Sequence, residues 1–91
     1  MARLALILYG RPGCHLCDEM KNLVRSVAPE FDAVVKEVNI AGDRDLEARF
    51  GHEIPVLFVS GRKAFKYRVT ARALRGRLRA AQRRRPPIAA P

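Results

Sequence analysis

Fourteen residues near the start, Leu4-Ala5-Leu6-Ile7-Leu8-Tyr9-Gly10-Arg11-Pro12-Gly13-Cys14-His15-Leu16-Cys17, limit what the rest of the chain can become. The unbroken apolar run Leu4–Tyr9 reads as a strand buried on both faces, as in the centre of an α/β sheet. Gly10–Gly13, with a proline between two glycines, reads as a loop. Beyond it, Leu16, Met20, Leu23, Val24 and Val27 recur at i, i+4, i+7, i+8 and i+11, the apolar stripe of a helix. The only two cysteines, Cys14 and Cys17, stand where the loop becomes the helix.

The later elements follow from the same signals. The first helix begins near Gly13 or Cys14, with Asp18 and Glu19 in its early turns, where the macrodipole favours acids, and Pro29 stops it. Ala33–Ile40 is a β-branched, half-alternating second strand. Asp43 caps a short helix whose Leu46 and Phe50 face the core and whose C-terminal glycine is Gly51. Ile54-Pro55 leads into a third strand, Val56–Val59. Ser60-Gly61 is a tight hairpin turn into a fourth strand around Lys63–Val69. Thr70 caps the last helix, with Ala71, Leu74, Leu78 and Ala81 as its apolar stripe. The order is β-α-β-α-β-β-α: an α/β four-stranded mixed sheet with helices on both faces, the first two strands parallel and the last two an antiparallel hairpin.

Ninety-one residues with 48% apolar side chains form one small domain, assigned to 1–83, with a basic, proline-rich tail over 84–91 expected to be disordered. Charge divides unevenly. Residues 1–53 hold all nine acids against seven Lys/Arg, a net of −2, whereas 54–91 hold eleven Lys/Arg and no acid, a net of +11. The basic half suits an acidic partner or nucleic acid, but it lacks interleaved base-stacking aromatics beyond Phe65 and Tyr67, so nucleic acid is disfavoured. No apolar stretch approaches a membrane span, and no secretory signal is visible, so a cytoplasmic monomer is the expectation.

The chemistry expected of the dithiol follows from its position. A thiolate is the nucleophile in disulfide exchange, and a free thiol with a pKa of about 8.5 is mostly protonated at neutral pH. Unpaired amides and the positive dipole end at a helix N-terminus favour the anion, and in C-x-x-C motifs the pKa falls to about 3.5–7.5. Arg11 and protonated His15 would add positive charge near Cys14. Cys17, one turn on and leaning toward the apolar stripe, keeps its proton and resolves the mixed disulfide that Cys14 forms. A C-x-x-C beside a βαβ pattern is a redox signature. Metal chemistry competes with this reading. A zinc site needs four ligands, and His15 and His52 do not complete a shell with the cysteines. A two-cysteine copper(I) site is chemically reasonable, and an iron–sulfur carrier role would use the same thiols.

At this point the chain resembles the thioredoxin superfamily, closest to its small glutaredoxin-like branch. The resemblance rests on Leu8–Cys17 and on Ile54-Pro55-Val56-Leu57-Phe58-Val59-Ser60-Gly61-Arg62, and spans about residues 3–80. It implies thiol–disulfide oxidoreductase activity with Cys14 and Cys17 catalytic. It implies a cis Ile54-Pro55 bond facing the dithiol, and substrate contacts from Tyr9, Arg11, Ile54 and Pro55. The partners it implies are a disulfide-containing protein or thiol substrate and a reductase or glutathione as electron donor, with no bound cofactor. Departures bear on glutathione. The family's Gly-Gly and Asp after the fourth strand, which hold the γ-glutamyl end, are replaced by Phe65-Lys66-Tyr67-Arg68-Val69, and Glu53-Ile54-Pro55 stands where Thr-Val-Pro is usual.

Overall fold

A computed structural model describes residues 3–84. Along the chain run β1 (Ala5–Gly10), α1 (His15–Val27), a 3-10 turn (Ala28–Phe31), β2 (Val34–Asn39), α2 (Arg44–Phe50), β3 (Val56–Val59), β4 (Arg62–Lys66) and α3 (Ala71–Arg84). The sheet has the order β2-β1-β3-β4. β1 lies parallel to β2 and antiparallel to β3, and β3 and β4 form the antiparallel hairpin. The expected α/β mixed sheet is therefore present, with β1 and β3 central. Of the expected tail, only Arg84 falls within the described residues, as the last residue of α3; 85–91 lie outside them.

The apolar periods place the core. Leu4, just ahead of β1, and Leu6 and Leu8 within it bury one face against Met20, Val24 and Val27 of α1 and Leu74, Leu78 and Ala81 of α3. Fully burying a Leu or Val side chain is worth about 1.5–3 kcal/mol, so this layer dominates the fold. On the other face only α2 packs, around Ile40, Phe50 and Val56. The expectation that β1 is buried on both faces therefore needs correction. Ala5 is exposed and Ile7 and Tyr9 are half-buried, because a seven-residue helix covers only part of that face.

Several local signals act as the sequence implies. Asp43 Oδ1 accepts from the Leu46 amide at 3.0 Å and caps α2. Thr70 Oγ1 accepts from the Ala73 amide at 3.1 Å and caps α3. Ser60 and Gly61 both have positive φ, 50° and 81°, as a type I′ hairpin turn requires.

α1 ends at Val27, ahead of Pro29 as expected; Pro29 then occupies the first turn of the 3-10 segment, where its missing amide costs nothing, and Asp32, at φ 52°, makes the exit. Two expectations differ from what is observed. Gly51 stays right-handed at φ −54°; a Cβ there would meet the Glu47 carbonyl at 2.5 Å, so crowding, not a left-handed cap, suits glycine. The fourth strand stops at Lys66 because Tyr67 turns left-handed, at φ 68°.

Candidate active site

β1 carries the loop Arg11–Gly13 to the carboxyl end of the sheet. Gly13, at φ 79°, adopts the left-handed backbone that lets the chain turn into α1. Cys14 is the N-cap of α1: its Sγ accepts from the Cys17 amide at 3.1 Å. The two cysteines are joined as a disulfide, their Cα atoms 5.1 Å apart, inside the range such a bond spans without backbone movement. They are not equivalent. Cys14 is half-buried at the loop–helix corner, while Cys17 is 7% exposed.

Cys17 is seated on Gly10. A Cβ at Gly10 would lie 2.9 Å from Cys17 Sγ, closer than real contacts allow, so only glycine leaves room for the sulfur against β1. In the sequence Gly10 reads as the first residue of the loop, whereas in the structure it ends β1; its part in the site depends on a tertiary approach that no local pattern records.

The second half of the site enters from β3. Tyr9 pairs with Val56 across β1 and β3, so extending the register brings Pro55 and Ile54 to the same end of the sheet as the dithiol loop. The Ile54–Pro55 peptide bond is cis. Pro55 is buried and Ile54 half-buried, the latter packed on the α2-side cluster. The segment ahead of β3 is tied to β4 and the bend after it. Glu53 pairs with Lys63, whose ammonium holds the Glu53 carboxyl below the usual carboxylate range. The Tyr67 amide donates to the Pro55 carbonyl at 2.9 Å, and the Tyr67 hydroxyl donates to the His52 carbonyl at 2.9 Å.

Two basic neighbours point away from the role expected of them. His15 is 87% exposed and meets Glu19 at 2.9 Å, one turn along α1. The Arg11 guanidinium lies 3.6 Å from Glu47 of α2, and its Nε is buried without a partner. Neither side chain is free for the sulfurs alone. The Tyr9 ring stacks on Phe50 at 4.5 Å and meets Phe58 edge-on at 5.5 Å, so it is engaged in packing beneath the site.

Two clefts border this end of the molecule. One, of about 440 Å³, is lined by Gly10, Arg11, Cys17, Lys21, Glu37 and Asn39. The other, of about 570 Å³, runs between α1 and the β4–α3 bend and is walled by Leu16, Met20, Leu23, Phe65, Tyr67 and Val69. Among the described residues no group of three or more His, Cys, Asp or Glu is placed to hold a metal ion, and no helix is long and apolar enough to cross a membrane.

Residues 5–79 match the family model described as Glutaredoxin-like domain (DUF836). Target protein XcR50 from X. campestris, in its X-ray structure, is similar at 33% identity with a TM-score of 0.71, over 82% of this chain and 96% of that one. Protein Ne2328 from Nitrosomonas europaea, in solution, is similar at 27% identity with a TM-score of 0.69, over 85% and 93%. A mutant thioredoxin from Halobacterium salinarum NRC-1 shares the fold, at 21% identity with a TM-score of 0.63, over 85% of this chain and 73% of that one. No curated protein matches the chain.

Proposed function

The chain belongs to the glutaredoxin-like domain family, and from that premise we propose that it is a thiol–disulfide oxidoreductase in which Cys14 and Cys17 cycle between dithiol and disulfide. One observation carries the reading: the two cysteines are bonded to each other at a helix N-terminus, the half-buried one as cap and the buried one a turn behind. The Cys17 amide that meets Cys14 Sγ is the donor a thiolate would use in the reduced protein.

In the reaction, the Cys14 thiolate attacks one sulfur of a substrate disulfide. A Cys14–substrate disulfide forms, and the other substrate sulfur leaves as a thiolate that takes up a proton. Cys17 then loses its proton and attacks Cys14 Sγ, releasing the second substrate thiol. The substrate gains two electrons and two protons, and the protein is left with the Cys14–Cys17 bond. A dithiol reductase, or two equivalents of glutathione, returns the pair to the reduced form. Ile54 offers its backbone groups to an extended substrate beside Cys14, with Pro55 shaping the turn that presents them, Tyr9 packed below and Arg11 at the edge. A reducing, cytoplasmic setting and a protein disulfide as substrate fit this reading, as does a monomeric state.

The test is reduction of a model protein disulfide by wild type, Cys14→Ser and Cys17→Ser. Wild type turns over, Cys14→Ser is inactive, and Cys17→Ser accumulates the mixed disulfide. A wild type without activity, or a Cys14→Ser variant as active as wild type, overturns the proposal.

A further inference from the structure

Tyr67 departs from what its residue type and place in the chain favour. It is a bulky residue at φ 68°, in the left-handed region that such side chains avoid. The residue is 43% exposed, so burial gives it little reason to be aromatic. What it does instead is hold two carbonyls three residues apart. Its amide donates to Pro55 at 2.9 Å and its hydroxyl donates to His52 at 2.9 Å. With the backbone left-handed at Tyr67, the hydroxyl reaches His52, ahead of β3, while the amide stays in reach of Pro55. The residues between those carbonyls, Glu53 and Ile54, belong to the segment the proposed reaction uses to receive substrate.

We infer that Tyr67 is a positioning residue: its phenol pins the His52–Pro55 segment in the shape that presents the Ile54 backbone to a disulfide-bearing polypeptide. The inference rests on the oxidoreductase reading for its substrate and on geometry alone for the clasp. The same ring also walls the cleft of about 570 Å³ beside α1, so a polypeptide lying from the dithiol toward Leu16 would pass along the clasp. Glu53–Lys63 ties the same segment one residue along, while the phenol holds its His52 end and the Tyr67 amide its Pro55 end.

Two variants separate this role from a structural one. Tyr67→Phe removes only the hydroxyl, and Tyr67→Gly removes the whole side chain while favouring the left-handed backbone. Both keep the amide that donates to Pro55. With a protein disulfide as substrate, each raises KM about two- to tenfold, the factor one neutral hydrogen bond supplies. In each, kcat and the Cys14–Cys17 reduction potential stay at the wild-type value. Amide exchange at Glu53 and Ile54 speeds up in both, read on the oxidised protein without substrate. Unchanged KM and unchanged exchange overturn the inference, as does a parallel change in kcat and potential. If wild type reduces nothing, the oxidoreductase reading falls, and the exchange measurement still decides whether the clasp exists.

Discussion

The two faces of the sheet are built on different scales. Among the described residues, the face under α1 and α3 buries twelve side chains in one cluster, whereas the face under α2 buries three. The larger layer sets the register of β1 and the direction of α1, and so the position of the cysteines. The smaller one carries Tyr9, Phe50 and Ile54, and with them the approach to Pro55. A site assembled across both faces takes its rigidity from the first and its adjustable parts from the second. The extra ties on residues 52–55 are what a segment resting on a thin layer requires.

Like-for-like truncations test this contrast most strongly. Leu78→Ala, in the larger layer, costs about 2–5 kcal/mol in urea unfolding. Leu46→Ala, half-buried on α2, costs about 1–1.5 kcal/mol, in proportion to the smaller area it removes from water. Equal costs would break the contrast. Gly10→Ala comes next, at about 1–3 kcal/mol, because the added methyl meets Cys17 Sγ at 2.9 Å and β1 cannot retreat from the core it anchors. It also slows closure of the Cys14–Cys17 bond, which thiol titration after oxidant pulses would read; a bond that forms at the wild-type rate would show that Cys17 is not seated on β1.

Asp43→Ala removes the cap of α2 and costs about 1 kcal/mol, with faster amide exchange in α2 and unchanged exchange in β1 and β3. Exchange that rises equally on both faces would mean the two layers open together. Acidification gives the smallest effect. Hydrogen bonds from Arg75 to Glu30 and from Lys63 to Glu53 hold both carboxyls below the usual carboxylate range. A lowered folded pKa means that this stabilisation is present above the ordinary carboxylate pKa and is lost as pH falls through the lowered one. Both groups are open to solvent, so the loss is small. Thermal melts of Glu30→Gln and Glu53→Gln should show a shallower acid slope than wild type, and an unchanged slope in both removes these pairs from the acid response.

Much of this was legible in the residues because it depends on neighbours in sequence. Apolar spacing placed α1 and α3, Asp43 and Thr70 marked the caps of α2 and α3 through local hydrogen bonds, and Ser60-Gly61 marked the hairpin turn. The C-x-x-C at the strand–helix junction located the dithiol. What the residues did not disclose depends on tertiary approach. Leu4–Tyr9 looks uniformly apolar, yet only its leucines meet a thick layer. Arg11 and His15 look like charges for Cys14, but Glu47 and Glu19, from α2 and the next helical turn, reach them first. Nothing in a six-residue window marks Gly10 as a seat for a sulfur, or Tyr67 as the end of a strand.

Cys14 is the cap of the helix it begins, and the chemistry changes what kind of cap it is. As a thiolate it would bring a negative charge to unpaired amides; as half of a disulfide it brings a weak neutral acceptor. The first turn of α1 is then bound more firmly in one oxidation state than in the other. Linkage requires the same free energy to appear in the electron affinity of the pair, so whatever firms that turn in the reduced protein also makes the disulfide easier to reduce. A substitution at Asp18, next to Cys17 in the chain, or at Lys21, one turn further along α1, would move the redox balance without touching the reacting atoms.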